Sequence, residues 1–292
     1  MIITKLKGGL GNQLFQYAIG RRLAEDQNSE LKFDISLLNQ QNEITALRKY
    51  KLHVFKIDTP ISSKNDEDQI LGVKWLVPLK RRFWKMGIDL FRWNYIRETS
   101  YGYHPEVLSL KRDLILEGYW QSAKYFDSIR GILLKELTLK NEFITTRFSS
   151  LKDEMTKQNS VAIHVRRGDY VSNPTVTKEF GVCTLDYYLK SIEYLKHRLS
   201  NPRFYVFSDD LEWCKLSFNA ENDIHFVTDF EDYQDLMLIS SCRHQIISNS
   251  TFSWWGAWLN QNATKVVVAP EIWYIDPSFD TSHLIPTEWI RI

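Results

Sequence analysis

Short apolar runs and segments of helical period alternate from residue 161 to residue 269, and this alternation narrows the possible folds more than any other feature. Val161–Val165, Arg203–Phe207, Ile224–Val227, Gln245–Ile247 and Lys265–Ala269 read as strands. Asp186–Leu199, the residues after Asp210, Tyr233–Ile239 and Gly256–Asn260 read as the helices between them. Strands linked through helices pair in parallel, so the spacing predicts a doubly wound α/β sheet. Ligands bind such a sheet where its strands end. Three polar clusters fall at strand ends: His164, Arg166, Arg167 and Asp169; Asp209 and Asp210; Ser248, Asn249, Ser250 and Thr251.

The chemistry of these clusters suits a nucleoside diphosphate. Adjacent guanidiniums offer planar forks of donors that match phosphate oxygens. Gly168 lets the chain turn sharply after them. A Ser- and Thr-rich helix start adds hydroxyl and backbone N–H donors for an anion. A carboxylate can accept from both N1–H and the 2-amino group of guanine, and either Asp209 or Asp210 can instead cap the helix that follows. Asp209-Asp210 is not an Asp-x-Asp pair and no His/Cys cluster accompanies it, so no metal site is expected. Arginines can take over the neutralisation of a departing pyrophosphate. No Walker lysine motif is present, which argues against ATPase chemistry.

The N-terminal half is less regular. Ile2–Leu6 reads as a strand, followed by the loop Gly8-Gly-Leu-Gly-Asn-Gln13 and a helix over Asn12–Gln27. Gly9-x-Gly11 is close to a dinucleotide fingerprint, but Leu14 stands where the last glycine belongs. Asp34, after the strand Leu31–Phe33, sits where a ribose-binding acid would, so an NAD-dependent oxidoreductase is one alternative. Ser62–Asp68 reads as a polar loop, and Leu114–Ser122 as a strand with a polar-aromatic tip. Between Lys74 and Arg97 aromatic and basic residues interleave; this is either a surface for anionic lipid or an irregular helix with wet bases. The polar stretch Glu142–Asn159 reads as a connector, which divides the chain into domains at 1–150 and 151–292. The tail from Pro270 is expected to pack back on the body.

Composition removes several classes. Lys and Arg number 37 against 36 Asp and Glu, so a nucleic-acid partner is not expected. Three scattered cysteines suit a reducing cytosol and form neither a zinc pattern nor a disulfide framework. Met1–Lys5 reads as an immediate strand and not a signal peptide, and no 18-residue apolar span occurs. Ten tryptophans raise a second alternative, a non-catalytic carbohydrate-binding protein.

Taken together, several motifs resemble bacterial α-1,2-fucosyltransferases, glycosyltransferase family 11. Gly8-Gly-Leu-Gly-Asn-Gln-Leu-Phe-Gln-Tyr17 is similar to the family's opening. His164-Val-Arg-Arg-Gly-Asp169 resembles its His-x-Arg-Arg-x-Asp motif, and Ser248-Asn-Ser-Thr-Phe-Ser-Trp-Trp-Gly256 and Gly118-Tyr-Trp-Gln-Ser122 also have its look. The resemblance implies a GT-B-like fold, with two Rossmann-like domains facing a cleft. The N-terminal domain would bind the acceptor and the C-terminal domain GDP-fucose. Fucose would pass with inversion to a galactose-terminated oligosaccharide or lipid-linked glycan, without cofactor or metal. By the family's motifs, Arg166 would hold the β-phosphate, His164 the nucleotide or phosphate, Asp210 the guanine, and Ser250 and Thr251 the phosphate and fucose. Gly11 and Asn12 would approach the donor. Asp169 and Asp34 are both candidates for the base, and Asp169 can equally lock the arginine pair. The setting would be cytoplasmic, with peripheral contact at the inner membrane.

Overall fold

The computed structural model describes residues 1–38, 48–72, 76, 78–79, 82, 86, 93–173, 177–178, 180–218 and 224–292; of Asp169 and Ser172 it describes the backbone only. The chain forms two compact units, Met1–Thr138 and Leu139–Ile292.

The N-terminal unit is built on a four-stranded sheet. Its strands are β1 (Ile2–Lys5), β2 (Leu31–Asp34), β3 (Tyr95–Arg97) and β4 (Leu114–Glu117), in the order β2-β1-β4-β3. Every pairing is parallel. The helix Leu10–Gln27 leaves β1 and starts two residues earlier than its pattern suggested, inside the glycine loop. It is buried on several sides, with Leu14, Phe15, Ala18, Ile19 and Leu23 inaccessible. It ends where Asn28 turns left-handed at φ 47° and bonds back to Ala24.

Two polar stretches are helical, against expectation. Ser62–Asp68 contains the start of the helix Lys64–Leu71, which opens with a capping box: Ser63 Oγ accepts from Asp66 N, and Asp66 accepts from Ser63 N. The polar residues that suggested a loop are the cap. The supposed connector holds the helix Thr146–Lys157, capped by Thr145 and anchored by buried Phe148 and Met155. The expected boundary at 150 lies within this helix. Most of the basic-aromatic stretch 74–97 lies outside the described residues. Its end does not: Tyr95–Arg97 is strand β3, with Trp93 and Ile96 buried and Arg97 exposed.

The C-terminal unit carries a six-stranded parallel sheet. Its strands are β5 (Ser160–Val165), β6 (Arg203–Ser208), β7 (Ile224–Phe226), β8 (His244–Ile246), β9 (Val267–Ala269) and β10 (Ile290–Arg291), in the order β10-β9-β8-β5-β6-β7. The helices Leu185–Arg198, Leu211–Ser217, Asp232–Ser241 and Thr251–Leu259 supply crossovers. Central β5 is buried along its whole length. The tail packs back as expected, since β10 extends the sheet beside β9. The expected loop Val171–Thr177 begins within the short helix Gly168–Ser172, and residues 174–176 lie outside the described set.

Asp235, in the first turn of Asp232–Ser241, gives a stability test. Burial, then Asp232 and Glu231, push its carboxyl up to about 7. A carboxyl raised in the folded state keeps its proton there longer than in the unfolded chain. Stability is therefore full below pH 4 or so and falls as pH rises to about 7. Asp235→Asn removes that loss. Allowing for the solvent that screens a half-buried group, it should stabilise the protein by about 1–2 kcal/mol at pH 8 and leave it unchanged at pH 4. Urea unfolding at the two pH values measures this.

Candidate active site

The parallel register brings the three polar clusters of the C-terminal unit to one edge. Val165 pairs with Ser208, so Arg166 and Arg167 leave the sheet beside Asp209 and Asp210. On the other side Ile163 pairs with Ile246, which sets Ser248 level with the end of β5. His164 Nδ1 lies 2.9 Å from Ser248 Oγ, and its ring sits 5.2 Å from that of Phe252.

Each arginine has a carboxylate of its own. Arg166 Nη1 is 2.7 Å from Asp209 Oδ2, and Arg167 Nε donates to Asp210 Oδ2 at 3.0 Å. Asp209 also accepts from Arg167 N at 2.8 Å. Gly168 leaves room for this carboxylate: a Cβ at that position would lie 2.6 Å from Asp209 Oδ2. Arg167 is packed flat on Trp213, with Cζ 4.0 Å from the ring centre. Asp210 caps the helix Leu211–Ser217 by accepting from Trp213 N at 3.1 Å. Asp210 is thus shared between a cap and Arg167, and of the two acidic side chains Asp209 is the one beside Arg166.

His164 is buried, and its pKa falls to about 3, chiefly through burial and then through Arg166. It is a neutral imidazole at any physiological pH. The segment after β8 is fixed by Asn249, whose Nδ2 donates to the carbonyls of Phe180 at 2.8 Å and Trp273 at 3.2 Å. Ser250 caps the helix Thr251–Leu259, accepting from Phe252 N at 3.3 Å, and Thr251 is its first residue. The helix start therefore opens onto the same sheet edge as Arg166. Asp169 lies in the short helix after the arginines; its side chain is outside the described atoms.

The remaining expected site residues belong to the N-terminal unit. Gly11 lies buried in the first turn of its helix. Asn12 Oδ1 accepts from Gln121 Nε2 at 3.1 Å. Asp34 is buried, paired with Lys5 and accepting from Ser36 N at 2.8 Å. It forms an internal ion pair between β1 and β2. Gln13 and Gln16, read only as helix, are buried ties. Gln13 Nε2 donates to the carbonyls of Gly8 and Lys49, and Gln16 Nε2 to those of Lys7 and Gly118.

Sequence reasoning missed Glu98 and Lys7. Glu98 accepts from the backbone N–H groups of Tyr119 at 2.6 Å and Trp120 at 3.1 Å. Burial pushes its carboxyl up, against the pull of those two donors, Lys7 and His104. Lys7 Nζ lies 4.1 Å over the Tyr119 ring, and burial lowers its pKa. Glu98 was obscured because it directly follows the basic-aromatic stretch 74–97, in which no strand was expected.

A parallel α/β unit with a guanidinium, hydroxyls and a helix start at one strand edge has the donor set of an anion-binding α/β protein. Comparison with known proteins narrows it. The family model for glycosyl transferase family 11 matches residues 1–292, and the chain belongs to that family. It is 35% identical over 298 residues to an Escherichia coli alpha-1,2-colitosyltransferase, covering 100% of this chain and 99% of that one. It is 32% identical to the O-antigen biosynthesis glycosyltransferase WbnK of Escherichia coli, covering 98% of this chain and 99% of the relative. Among solved structures, the alpha-1,6-fucosyltransferase NodZ soaked with GDP-fucose superposes with a TM-score of 0.52 at 15% identity, covering 88% of this chain and 91% of that one. The fold is GT-B-like, with parallel sheets in two domains, and the chain is a glycosyltransferase.

Proposed function

We propose that the protein transfers L-fucose from GDP-β-L-fucose to a galactoside, with inversion and α-1,2 linkage, in surface polysaccharide or oligosaccharide synthesis. The observation that carries this is the edge of the six-stranded sheet, where Arg166, His164, Ser250 and Thr251 converge around a helix N-terminus. In this reading the C-terminal unit binds the donor and the N-terminal unit the acceptor. Arg166, steadied by Asp209, takes the β-phosphate. The leaving pyrophosphate gains negative charge as the sugar–phosphate bond breaks, and a fixed guanidinium stabilises that charge more in the transition state than in the ground state. Neutral His164 donates or accepts a hydrogen bond without adding charge. Ser250, Thr251 and the helix start complete the anion site. The acceptor hydroxyl loses its proton late, and Asp169 and Asp34, the latter paired with Lys5, are the carboxylates this reading offers as the base.

The reading needs no cofactor and no metal. It has a second form, in which the donor sugar is colitose, since the colitosyltransferase relative is 35% identical across the whole chain. Fucose and colitose are both deoxyhexoses and differ at one ring hydroxyl, which the phosphate and guanine contacts do not sense. The cytoplasmic setting and the peripheral membrane contact belong to the same proposal; among the described residues no helix is long and apolar enough to cross a membrane.

Calorimetric titration with GDP in EDTA tests it. Binding with the metal removed is expected, and GDP-fucose and GDP-colitose should compete for the same site while NAD does not. Binding that appears only after a divalent cation is restored overturns the metal-free part. No GDP binding under either condition overturns the donor site.

A further inference from the structure

The arginine motif runs on into Tyr170, a residue that the functional reading leaves unused. Tyr170 lies in the short helix Gly168–Ser172, four residues after Arg166, and is half-buried. Its ring centre stands 5.6 Å from Arg166 Cζ, within the distance at which an aromatic face attracts a guanidinium. Arg166 is therefore held by two groups of different kinds, the Asp209 carboxylate at 2.7 Å from Nη1 and the Tyr170 ring. The ion pair fixes one end of the fork, and the ring limits where the rest can swing.

Tyr170 is itself placed by the other half of the site. Its hydroxyl donates to Asn249 O at 3.3 Å. Asn249 stands between Ser248, which meets His164, and Ser250, which caps the helix Thr251–Leu259. The Asn249 amide donates to Phe180 O at 2.8 Å, and the Phe180 ring packs on that of Tyr170 at 5.5 Å and 31°. These three contacts close a circuit, so the Tyr170 ring cannot shift without disturbing one of them. Thr177 Oγ1 adds a bond to Tyr170 O at 2.5 Å, and Tyr274 of the tail backs Phe180 at 5.1 Å. The anion site draws on two segments far apart in sequence, and Tyr170 touches both. A phenylalanine would supply the ring; the hydroxyl is what reaches the second segment.

We propose that Tyr170 is a positioning residue for diphosphate binding: its ring holds the Arg166 guanidinium, and its hydroxyl keeps that guanidinium in place relative to the Ser250 helix start. The proposal rests on the reading above, in which Arg166 takes the β-phosphate. Tyr170 acts through Arg166 and touches no reacting atom. Its effect is preorganisation. An arginine already held gives up little side-chain freedom when the ligand arrives, and a loose one gives up more.

Calorimetric titration of the full chain with GDP and with GMP, in EDTA, tests this, with thermal unfolding as the fold control. GMP lacks the β-phosphate that Arg166 would hold. Tyr170→Leu should weaken GDP binding by about 3- to 10-fold, the cost of immobilising one long side chain, and leave GMP binding within about twofold. Tyr170→Phe keeps the ring and should weaken GDP binding by only about 2- to 3-fold, again without effect on GMP, which keeps the test alive if Tyr170→Leu folds poorly. In an Arg166→Ala background neither substitution should have a further effect on GDP. Equal losses for GDP and GMP, or losses that multiply with that of Arg166→Ala, overturn the proposal and leave Tyr170 as packing. Wild-type GDP affinity in Tyr170→Leu overturns it too, as does a Tyr170→Phe loss equal to that of Tyr170→Leu. The underlying reading fails in a different way. If Arg166→Ala alone leaves the ratio of GDP to GMP affinity at its wild-type value, Arg166 does not hold the β-phosphate, and the proposal falls with that role.

Discussion

With the donor site proposed above, Arg166→Ala should weaken GDP binding by about 2–3 kcal/mol, roughly 30- to 150-fold, the contribution of a charge-assisted phosphate contact. The direction follows from the local charges. Arg166 is held 2.7 Å from Asp209, and its side chain is 27% exposed, enough to meet a ligand from a fixed position. Truncation removes the cation and leaves the Asp209 carboxylate held only by the Arg167 N–H, where its charge repels the diphosphate. The loss therefore belongs at the upper end of the range. Arg166→Lys restores charge and not the planar fork, so it should recover little of the affinity. Turnover should fall further than binding, by about a hundredfold or more, because the leaving diphosphate develops its charge in the transition state. Arg167→Ala provides the contrast. Arg167 is packed on Trp213 and paired with Asp210, so its removal should loosen the start of the Leu211–Ser217 helix and lower stability by about 1 kcal/mol. GDP affinity equal to wild type in Arg166→Ala would remove the diphosphate from this edge.

The C-terminal unit was legible because hydrophobic period and strand-end chemistry agree there. Strand, arginine pair and glycine follow one another in the chain, and parallel pairing alone carries Asp209 and Ser248 to the same edge. What stayed hidden was pairing. Nothing in Ser208-Asp209-Asp210 says that one carboxylate meets Arg166 and the other is shared between Arg167 and a helix cap, because side-chain partners depend on register at the level of single residues. The partner of Asp34 stayed hidden for a related reason. Asp34 stands at the end of a strand, as a ribose-binding acid does, yet Lys5 is its register neighbour across β1 and takes the charge. The N-terminal unit was obscured by helices whose polar residues cap or face solvent, and by glutamines that tie loops to the core. Gln13 and Gln16 look like surface helix and are buried because backbone carbonyls of neighbouring loops need donors.

Tryptophan content had also suggested a carbohydrate-binding protein, and the C-terminal core accounts for much of it. Trp254 is fully buried, and its ring lies 5.3 Å from Trp255, 6.3 Å from Trp258 and 5.6 Å from Trp289. Its Nε1 donates to Leu284 O at 2.8 Å, which binds the tail to the helix Thr251–Leu259. Trp254→Ala should therefore cost about 3–5 kcal/mol, the range for emptying a large aromatic site in a packed core. Trp254→Phe keeps a ring and loses the N–H, leaving a buried carbonyl short of its donor, and should cost about 1–3 kcal/mol. Urea unfolding measures both, and limited proteolysis of residues 270–292 should accelerate in Trp254→Ala as the tail comes free. Below the unfolding transition, GDP affinity should stay near wild type, because the tryptophans support the helix from its buried face and the ligand meets its N-terminus. If Trp254→Ala leaves stability intact and removes sugar binding instead, the cluster is a carbohydrate surface and the second alternative returns. Loss of stability with GDP affinity retained would mark the tryptophans as the packing that holds the Ser250 helix start beside Arg166.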